Sequence, residues 1–474
     1  MMIDQMNSPR RVWRLLLLGL VMLASANVWG NNNGEFQAER LVCRMRAGYD
    51  INYVNTTYGT TTVSIMPQTG AYLLATQPGL DAESLATAIM LDPAVFYCGA
   101  NYYLDAPEPF QRSSPFLDDQ LIGDFATQAA AVTLNLETAH AISDGTAVKV
   151  AIIDTGLNFD HPEFAAKSAR FVSGYDFVDN DPDAFDEPGG AASGHGTFVA
   201  GAVKLVAPGS ELWAYRVLDT LGRGDGYTLA LAVARAVDDG CKVINLSLGL
   251  VGKHDALDDA IHYAYDNNVI VVAAVGNDST GDPNLFPYPA KESSTIAVAA
   301  LDSLNHKADF SNYGRKVDLS APGTRVYSPY LDSSYAWWDG TSFAAPLVAG
   351  AAALLCQIDP SLTPYAVDSL LEESAINIDD LNPAYVDSLG KGLVNPGAAL
   401  AMLTAYVCGD SDGSSMVSIT DAVYLINYIF SGGPAPIPSM AGDCDCSGSI
   451  SISDAVYLIT YIFASGTPPC GSCP

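Results

Sequence analysis

At residues 148–154 the chain reads VKVAIID, a run in which only Lys149 interrupts the apolar side chains before a carboxylate closes it. A run rich in β-branched residues, without the alternation of a half-exposed strand, is what a strand buried on both faces shows. ELWAYRVL (211–218), CKVINLSL (241–248) and VIVVAAVG (269–276) have the same character, and helical stretches such as YTLALAVARAVDDG (227–240) lie between them. This alternation predicts an α/β domain built on a parallel sheet. Its loops at the carboxyl ends of the strands are where chemistry should collect, and Asp154 stands at one of them.

Three glycine-flanked fragments carry the chemistry: AIIDTG (151–156), SGHGTFVAG (193–201) and GTSFAAP (340–346). A serine hydroxyl is a poor nucleophile at neutral pH, so Ser342 needs His195 to take its proton, and the imidazole needs a carboxylate on its other nitrogen, supplied by Asp154. Gly156 permits the turn after Asp154. Ser342 opens a helix, where unpaired N–H groups favour developing negative charge. Pro346 is expected to sit early enough in that helix for its missing N–H to be tolerated. VVAAVGND (271–278) ends a buried strand at Asn277, an amide donor for an oxyanion.

The three motifs, in the order Asp, His, Ser known for subtilisins, resemble those of the subtilisin-like serine proteases (subtilases), and the chain fits that family from about residue 115 to 405. The resemblance implies a serine endopeptidase acting on protein or peptide substrates, with Asn277 stabilising the oxyanion. It also implies that NLSLG (245–249) and GRGDG (222–226) bind extended peptide as an added strand through Ser247, Leu248, Gly249, Gly222 and Gly224. Gly276, Ala274 and FPYPA (286–290) would line the pocket for the residue before the cut, with a preference for a large apolar side chain. Two departures stand out. Phe198 replaces a histidine common in the family, a change of packing, and the stretch after it is shorter than the calcium-wrapping loop of bacterial subtilisins. The acidic insertion DFVDNDPDAFDE (176–187) offers Asp179, Asp181, Asp183 and Asp186 either to a calcium ion or to solvent. The alternative to an enzyme is an inactive subtilase scaffold acting as a surface-binding protein.

The formal charge is −31, from 53 acidic and 22 basic residues, which argues against nucleic acid or an anionic membrane as partner. Residues 1–26 read as a signal peptide: three arginines, the apolar run Leu15–Leu23, then Ala24-Ser25-Ala26. The run is too short to span a bilayer, so a secreted chain without a transmembrane anchor is expected. Residues 27–104 form a small α+β unit with strands at 39–46 and 95–104 and a helix at 81–93. It resembles the subtilase propeptide, an inhibitor-like segment removed by autoprocessing, and that likeness implies that Cys43 and Cys98 can face each other and bridge. DAPEPFQRSSPF (105–116) reads as an exposed linker open to cutting, and 117–405 as the catalytic domain.

The carboxyl end writes one helix twice, SITDAVYLINYIF (418–430) and SISDAVYLITYIF (451–463). Each copy ends a twelve-residue acidic loop, DSDGSSMVSITD (410–421) and DCDCSGSISISD (443–454), with EF-hand-like ligand spacing. Asp410, Asp412, Ser414, Met416 and Asp421, then Asp443, Asp445, Ser447, Ser449 and Asp454, are the candidate ligands of about two calcium ions. Gly448 keeps the turn glycine of such loops, whereas Ser415 replaces it in the first copy. Ala422, Val423, Ile426 and Ile429 predict a stripe buried against the twin helix. The duplicated units resemble the dockerin module, which implies for residues 408–474 a calcium-dependent docking tail, a cohesin-like partner and attachment at the cell surface. That likeness also points to Ile419, Thr420, Ile452 and Ser453 as partner-reading positions. Nine cysteines suit an exported chain, and Cys408 and Cys470 are placed to clasp the ends of the tail.

Overall fold

The computed structural model describes residues 36–469, apart from 107, 109–113, 119–123, 166–169, 251, 284, 415 and 437. The expected signal peptide, the loop position Ser415 and Cys470 lie outside the described residues.

The front unit runs β1 (Phe36–Met45), α1 (Ile51–Tyr58), β2 (Thr61–Met66), β3 (Ala71–Ala75), α2 (Ala82–Met90) and β4 (Val95–Asp105). Its strands form an antiparallel sheet in the order β2-β3-β1-β4. Both helices start where an aspartate accepts a first-turn N–H, Asp50 from Asn52 and Asp81 from Ser84. Leu41, Val54, Leu74, Ile89 and Val95 fill the space between sheet and helices. Cys43 stands opposite Cys98 in the β1–β4 register, and the two are disulfide-bonded.

The central domain follows with β5 (Phe116–Leu117), β6 (Lys149–Asp154), β7 (Phe171–Asp176), α3 (His195–Val206), β8 (Glu211–Arg216), β9 (Arg223–Asp225) and α4 (Gly226–Asp238). It continues with β10 (Val243–Leu246), α5 (Asp255–Asp266), β11 (Ile270–Ala274), β12 (Ile296–Leu301), β13 (Leu319–Pro322), β14 (Val326–Pro329) and β15 (Tyr335–Trp338). The helices α6 (Thr341–Ile358), α7 (Pro364–Glu373) and α8 (Pro396–Ala405) complete it. Seven strands lie parallel in the order β13-β12-β11-β10-β6-β8-β7. Strands β6, β10, β11 and β12 are buried almost throughout, as their unbroken apolar runs require. Helix α6 is long and apolar enough to cross a membrane, but it is the core helix here, buried from Thr341 to Cys356 against the sheet and α3.

Outside the parallel sheet, β9 pairs antiparallel with β4, matching Tyr103 to Asp225, Leu104 to Gly224 and Asp105 to Arg223. The front unit's last strand is thereby drawn along the edge of the central domain. The ion pair between Arg44 and Asp259 (2.9 Å) and the bond from the Tyr97 hydroxyl to the same carboxylate (2.8 Å) fasten its sheet onto α5.

In the tail, α9 (Ile419–Ser431) and α10 (Ile452–Ala464) pack together. Each opens with a capping box, Ser418 with Asp421 and Ser451 with Asp454. The buried stripe differs from the expected one. Ala422 and Leu425 meet Ala455 and Leu458, with Ile429 packed beside them, while Val423 and Ile426 face outward. A spacing of three and four residues from Ala422 runs through Leu425 and Ile429, and this face meets the twin helix. The tail touches the central domain at Ser439, whose N–H donates to both oxygens of Glu373 at the end of α7 (3.0 and 3.1 Å).

Candidate active site

Asp154 ends β6 at the carboxyl edge of the sheet. Gly156, at φ 110°, turns the chain there, and a side chain at that position would strike the backbone of Phe185. His195 begins α3 and Ser342 is the second residue of α6, so two helix starts and one strand end converge. Asp154, His195 and Ser342 are all fully buried. The His195 ring donates from Nδ1 to Oδ1 of Asp154 at 2.7 Å, and the same oxygen accepts the Thr155 N–H. Trp338 meets the ring edge-on at 5.6 Å between centroids, and Phe343 lies 5.5 Å away. Phe198 packs against both of these aromatics, at 5.7 and 4.5 Å.

Asp186 ties the first two motifs together from beneath. Its carboxylate accepts from Thr155 Oγ1 (3.2 Å), Gly194 N (2.9 Å), Thr197 N (3.0 Å) and Thr197 Oγ1 (2.7 Å). Burial pushes its pKa up to about 6 against these hydrogen bonds. Four other acids of 176–187 are also engaged. Arg216 donates to Asp176 (2.7 Å), Asp179 (2.5 Å) and Glu187 (3.2 Å), and Asp181 accepts the N–H of Asp183. The grouped carboxylate trios among the described residues are in the tail, while Asp176, Asp179, Asp186 and Glu187 of this insertion are bonded within the fold.

Asn277 lies just past β11. Its Oδ1 accepts both the N–H (2.9 Å) and the hydroxyl (2.8 Å) of Thr341, which leaves Nδ2 free to donate on the other side. The group that receives this amide is one the sequence did not flag. Glu108, read as part of an exposed linker, is fully buried. Its Oε1 accepts from Asn277 Nδ2 at 2.9 Å, and its Oε2 accepts from Ser342 Oγ at 2.8 Å and His195 Nε2 at 3.1 Å. No hydrogen bond joins Ser342 to His195, because the Glu108 carboxylate stands between them. Gly340 makes this approach possible, since a Cβ there would run into that carboxylate. Burial by itself would lower the His195 pKa, but the charges and hydrogen bonds of Asp154 and Glu108 outweigh it and push it up to about 10.

The chain reaches Glu108 along the edge segments predicted to hold peptide. Asp105 exchanges both backbone bonds with Gly249 (3.1 Å each), and Ala106 N donates to Gly222 O at 2.9 Å. Gly224 faces Leu104 across β9. Leu248 is buried, and Gly276, at φ 92°, donates its N–H to Thr341 Oγ1 beside Asn277. Ser247 differs from its neighbours in using its side chain: Oγ accepts from Asn245 Nδ2 (2.9 Å) and donates to the Ser342 carbonyl (2.7 Å). Pro346 is therefore not in a free position. Its missing N–H is the one that would bond the Ser342 carbonyl within the helix, and the Ser247 hydroxyl takes its place.

In the tail, oxygens of Asp410, Asp412 and Asp421 lie within 4.8 Å of one another, as do those of Asp443, Asp445 and Asp454. Ser414 donates to Asp410 and to the Met416 carbonyl, and Ser447 donates to Asp443 and to the Ser449 carbonyl, so the two loops repeat one geometry. Gly413 and Cys446, at the fourth loop position, both take left-handed backbone, φ 71° and 59°. A donor set made of carboxylate, hydroxyl and carbonyl oxygens fits a hard divalent cation. Cys408 and Cys446 are each engaged in a disulfide.

A profile of the subtilase family matches residues 145–404, and one of the dockerin type I domain matches 408–463. Thermitase of Thermoactinomyces vulgaris is 42% identical over 227 residues, covering 46% of this chain and 77% of that protein. Subtilisin DY of Bacillus licheniformis is 40% identical over 266 residues, covering 54% of this chain and 91% of its own. Among solved structures, a protease of Pseudoalteromonas arctica aligns with a TM-score of 0.52 at 30% identity, over 57% of this chain and 94% of that one. Fervidolysin of Fervidobacterium pennivorans, a keratinolytic enzyme, aligns with a TM-score of 0.63 at 23% identity over 78% of this chain, a likeness of fold; the chain spans 62% of its length. With a buried serine, histidine and aspartate converging at the carboxyl edge of a parallel sheet and this relatedness over more than half its length, the chain belongs to the subtilase family of serine proteases and carries a dockerin type I domain at its carboxyl end.

Proposed function

We propose that the protein is a secreted, autoprocessed serine endopeptidase in which Asp154, His195, Ser342 and Asn277 do the chemistry. The observation that carries the reading is the convergence of Ser342 Oγ, His195 Nε2 and Asn277 Nδ2 on one carboxylate. These are the groups a peptide carbonyl needs around it: a nucleophile, a base and an oxyanion donor. With the cleft free, neutral His195 takes the Ser342 proton as Oγ bonds to the substrate carbonyl carbon. The oxyanion accepts the Asn277 amide. Collapse breaks the C–N bond, His195 returns the proton to the leaving amine, and water repeats the cycle on the acyl-enzyme. Substrate lies as a strand between 222–224 and 247–249, in the place Leu104–Ala106 take here.

Residues 27–104 act as propeptide, 105–116 hold the maturation cut, and 117–405 are the enzyme. The tail's two oxygen-ligand sets hold one calcium ion each and present the tail to a cohesin-like partner, which places the enzyme outside the cell and at a surface. Calcium there supplies charge neutralisation and folding free energy. The test is hydrolysis of an unfolded protein by purified enzyme and its Ser342→Ala variant. Loss of hydrolysis with the variant precursor left uncut is expected, and equal hydrolysis by both chains would end the reading.

A further inference from the structure

We propose that Glu108 is an intramolecular plug that keeps the uncut chain from reacting through its side chain rather than through a bound peptide carbonyl. The inference rests on the reading of Ser342 as nucleophile. Each oxygen of the Glu108 carboxylate is used: Oε1 fills the position of an oxyanion on Asn277, and Oε2 separates Ser342 from its base. Three consequences follow from that one placement. The hydroxyl points its proton at a carboxylate and not at an imidazole. The imidazole, between Asp154 and Glu108, is held as an imidazolium and has no lone pair with which to accept a proton. The Asn277 N–H that would meet the oxyanion is already taken by Oε1.

The sequence around Glu108 suits a plug. The preceding strand enters in substrate register, through Asp105 on Gly249 and Ala106 on Gly222. Residue 107 is a proline with no N–H to give the cleft, and residue 109 is a proline whose bond to Glu108 is a tertiary amide. The Ser247 carbonyl, at 3.2 Å, is a longer second acceptor for the hydroxyl whose proton is shared with Glu108 at 2.8 Å. Glu108 must leave before Ser342 can attack any bond, so plugging and cutting exclude each other.

A fluorophosphonate probe applied to the full chain, with uncut and processed bands resolved on a gel, tests this. Uncut Glu108→Ala and Glu108→Gln chains are expected to label at least about tenfold faster than uncut wild type, while Ser342→Ala stays blank; Gln keeps the volume if Ala perturbs the fold. Equal rates for uncut wild type and both variants, with the processed band labelled, overturn the plug and leave the nucleophile reading intact. No labelling of any band overturns the nucleophile, and the plug with it.

A separate observation carries a second inference: we propose that the Ser247 hydroxyl is a positioning residue for Ser342. It is fully buried, it is oriented by Asn245, and it is the donor to the carbonyl that Pro346 leaves without one. The end of β10 is in this way tied to the residue that attacks. Ser247→Ala is expected to lower kcat by on the order of tenfold with KM little changed, and Pro346→Ala in that background to recover most of the loss by restoring the helix N–H. An unchanged kcat in Ser247→Ala, or no recovery in a double variant that melts like the wild type, overturns it.

Discussion

The Ser342 hydroxyl donates a 2.8 Å hydrogen bond to Oε2 of Glu108. The same oxygen accepts a hydrogen bond from His195 Nε2, so the two halves of a proton-transfer pair are both turned toward one anion. A nucleophile and base arranged in this way are assembled but disengaged.

The first prediction concerns pH. His195 is faced by Asp154 on β6 and Glu108, with Asp186 beneath the two motif loops, and burial is outweighed so that its pKa rises to about 10. Below that value the uncut chain keeps an imidazolium. Labelling of the uncut chain should therefore rise only as pH approaches about 10. The processed enzyme, without the Glu108 charge, should gain kcat/KM at a clearly lower pH. Because the pKa lies above the ordinary value of about 6.5, the stabilisation of the plugged state is complete below it. It is lost as pH climbs through about 10. Alkaline conditions should accordingly loosen the front unit, readable as faster maturation. Superposed pH profiles for uncut and processed chains would contradict this.

Asn277→Leu should lower kcat of the processed enzyme by on the order of 10²–10³ with little change in KM, the size known for loss of such a donor in subtilisin. Both donors of Thr341 hold the amide in place, so the variant also leaves these without an acceptor. Steady-state kinetics and a melting curve separate the two effects.

Asp186→Ala removes the acceptor of four buried donors at once. Each orphaned donor costs about 1–3 kcal/mol, so a loss on the order of 3 kcal/mol or more is expected in denaturant unfolding. A loss below about 1 kcal/mol would mean that water fills the gap.

Much of this was legible in the sequence for one reason: strands buried on both faces must be apolar throughout, and the turns after them must carry the glycines and polar groups that chemistry uses. VKVAIID, VIVVAAVG and the strand ends that bear Asp154 and Asn277 follow from that, while His195 and Ser342 were legible through glycine-flanked motifs that resemble those of subtilases. Glu108 did not, because its role depends on where the chain is led and not on its neighbours; a polar residue between prolines looks like any linker. The only cue was that the strand before it ended within reach of the segments predicted to bind peptide. Pro346 stands early in its helix by count of turns, yet its missing N–H still leaves the Ser342 carbonyl to the Ser247 hydroxyl. In the tail the periodicity was read from Ala422 through Val423, although only a stripe through Leu425 and Ile429 faces the twin.

The last prediction concerns that tail. Among the described residues its own core is five buried side chains, Ala422, Leu425, Cys444, Ala455 and Leu458, a small core for two helices. Six aspartates crowd the two loops, and burial already raises the pKa of Asp421, Asp443 and Asp454. A divalent cation relieves both problems, so chelation of a Ser342→Ala full chain should strip hydrogen-exchange protection from 419–431 and 452–464 while leaving α6 protected. The outward faces match between copies: Val423 and Val456 are 59% and 53% exposed, Phe430 and Phe463 67% and 69%. Paired Ile419 and Ile452, and Ile426 and Ile459, complete two equivalent apolar rows, and the proposed cohesin-like partner is predicted to take them in either of two orientations. Val423→Asp or Val456→Asp alone should then leave calcium-dependent binding within a few-fold, and the two together should abolish it. Protection that survives chelation would remove calcium from the account of the tail. Loss of binding from either single change would show that one helix, and not a repeated face, meets the partner.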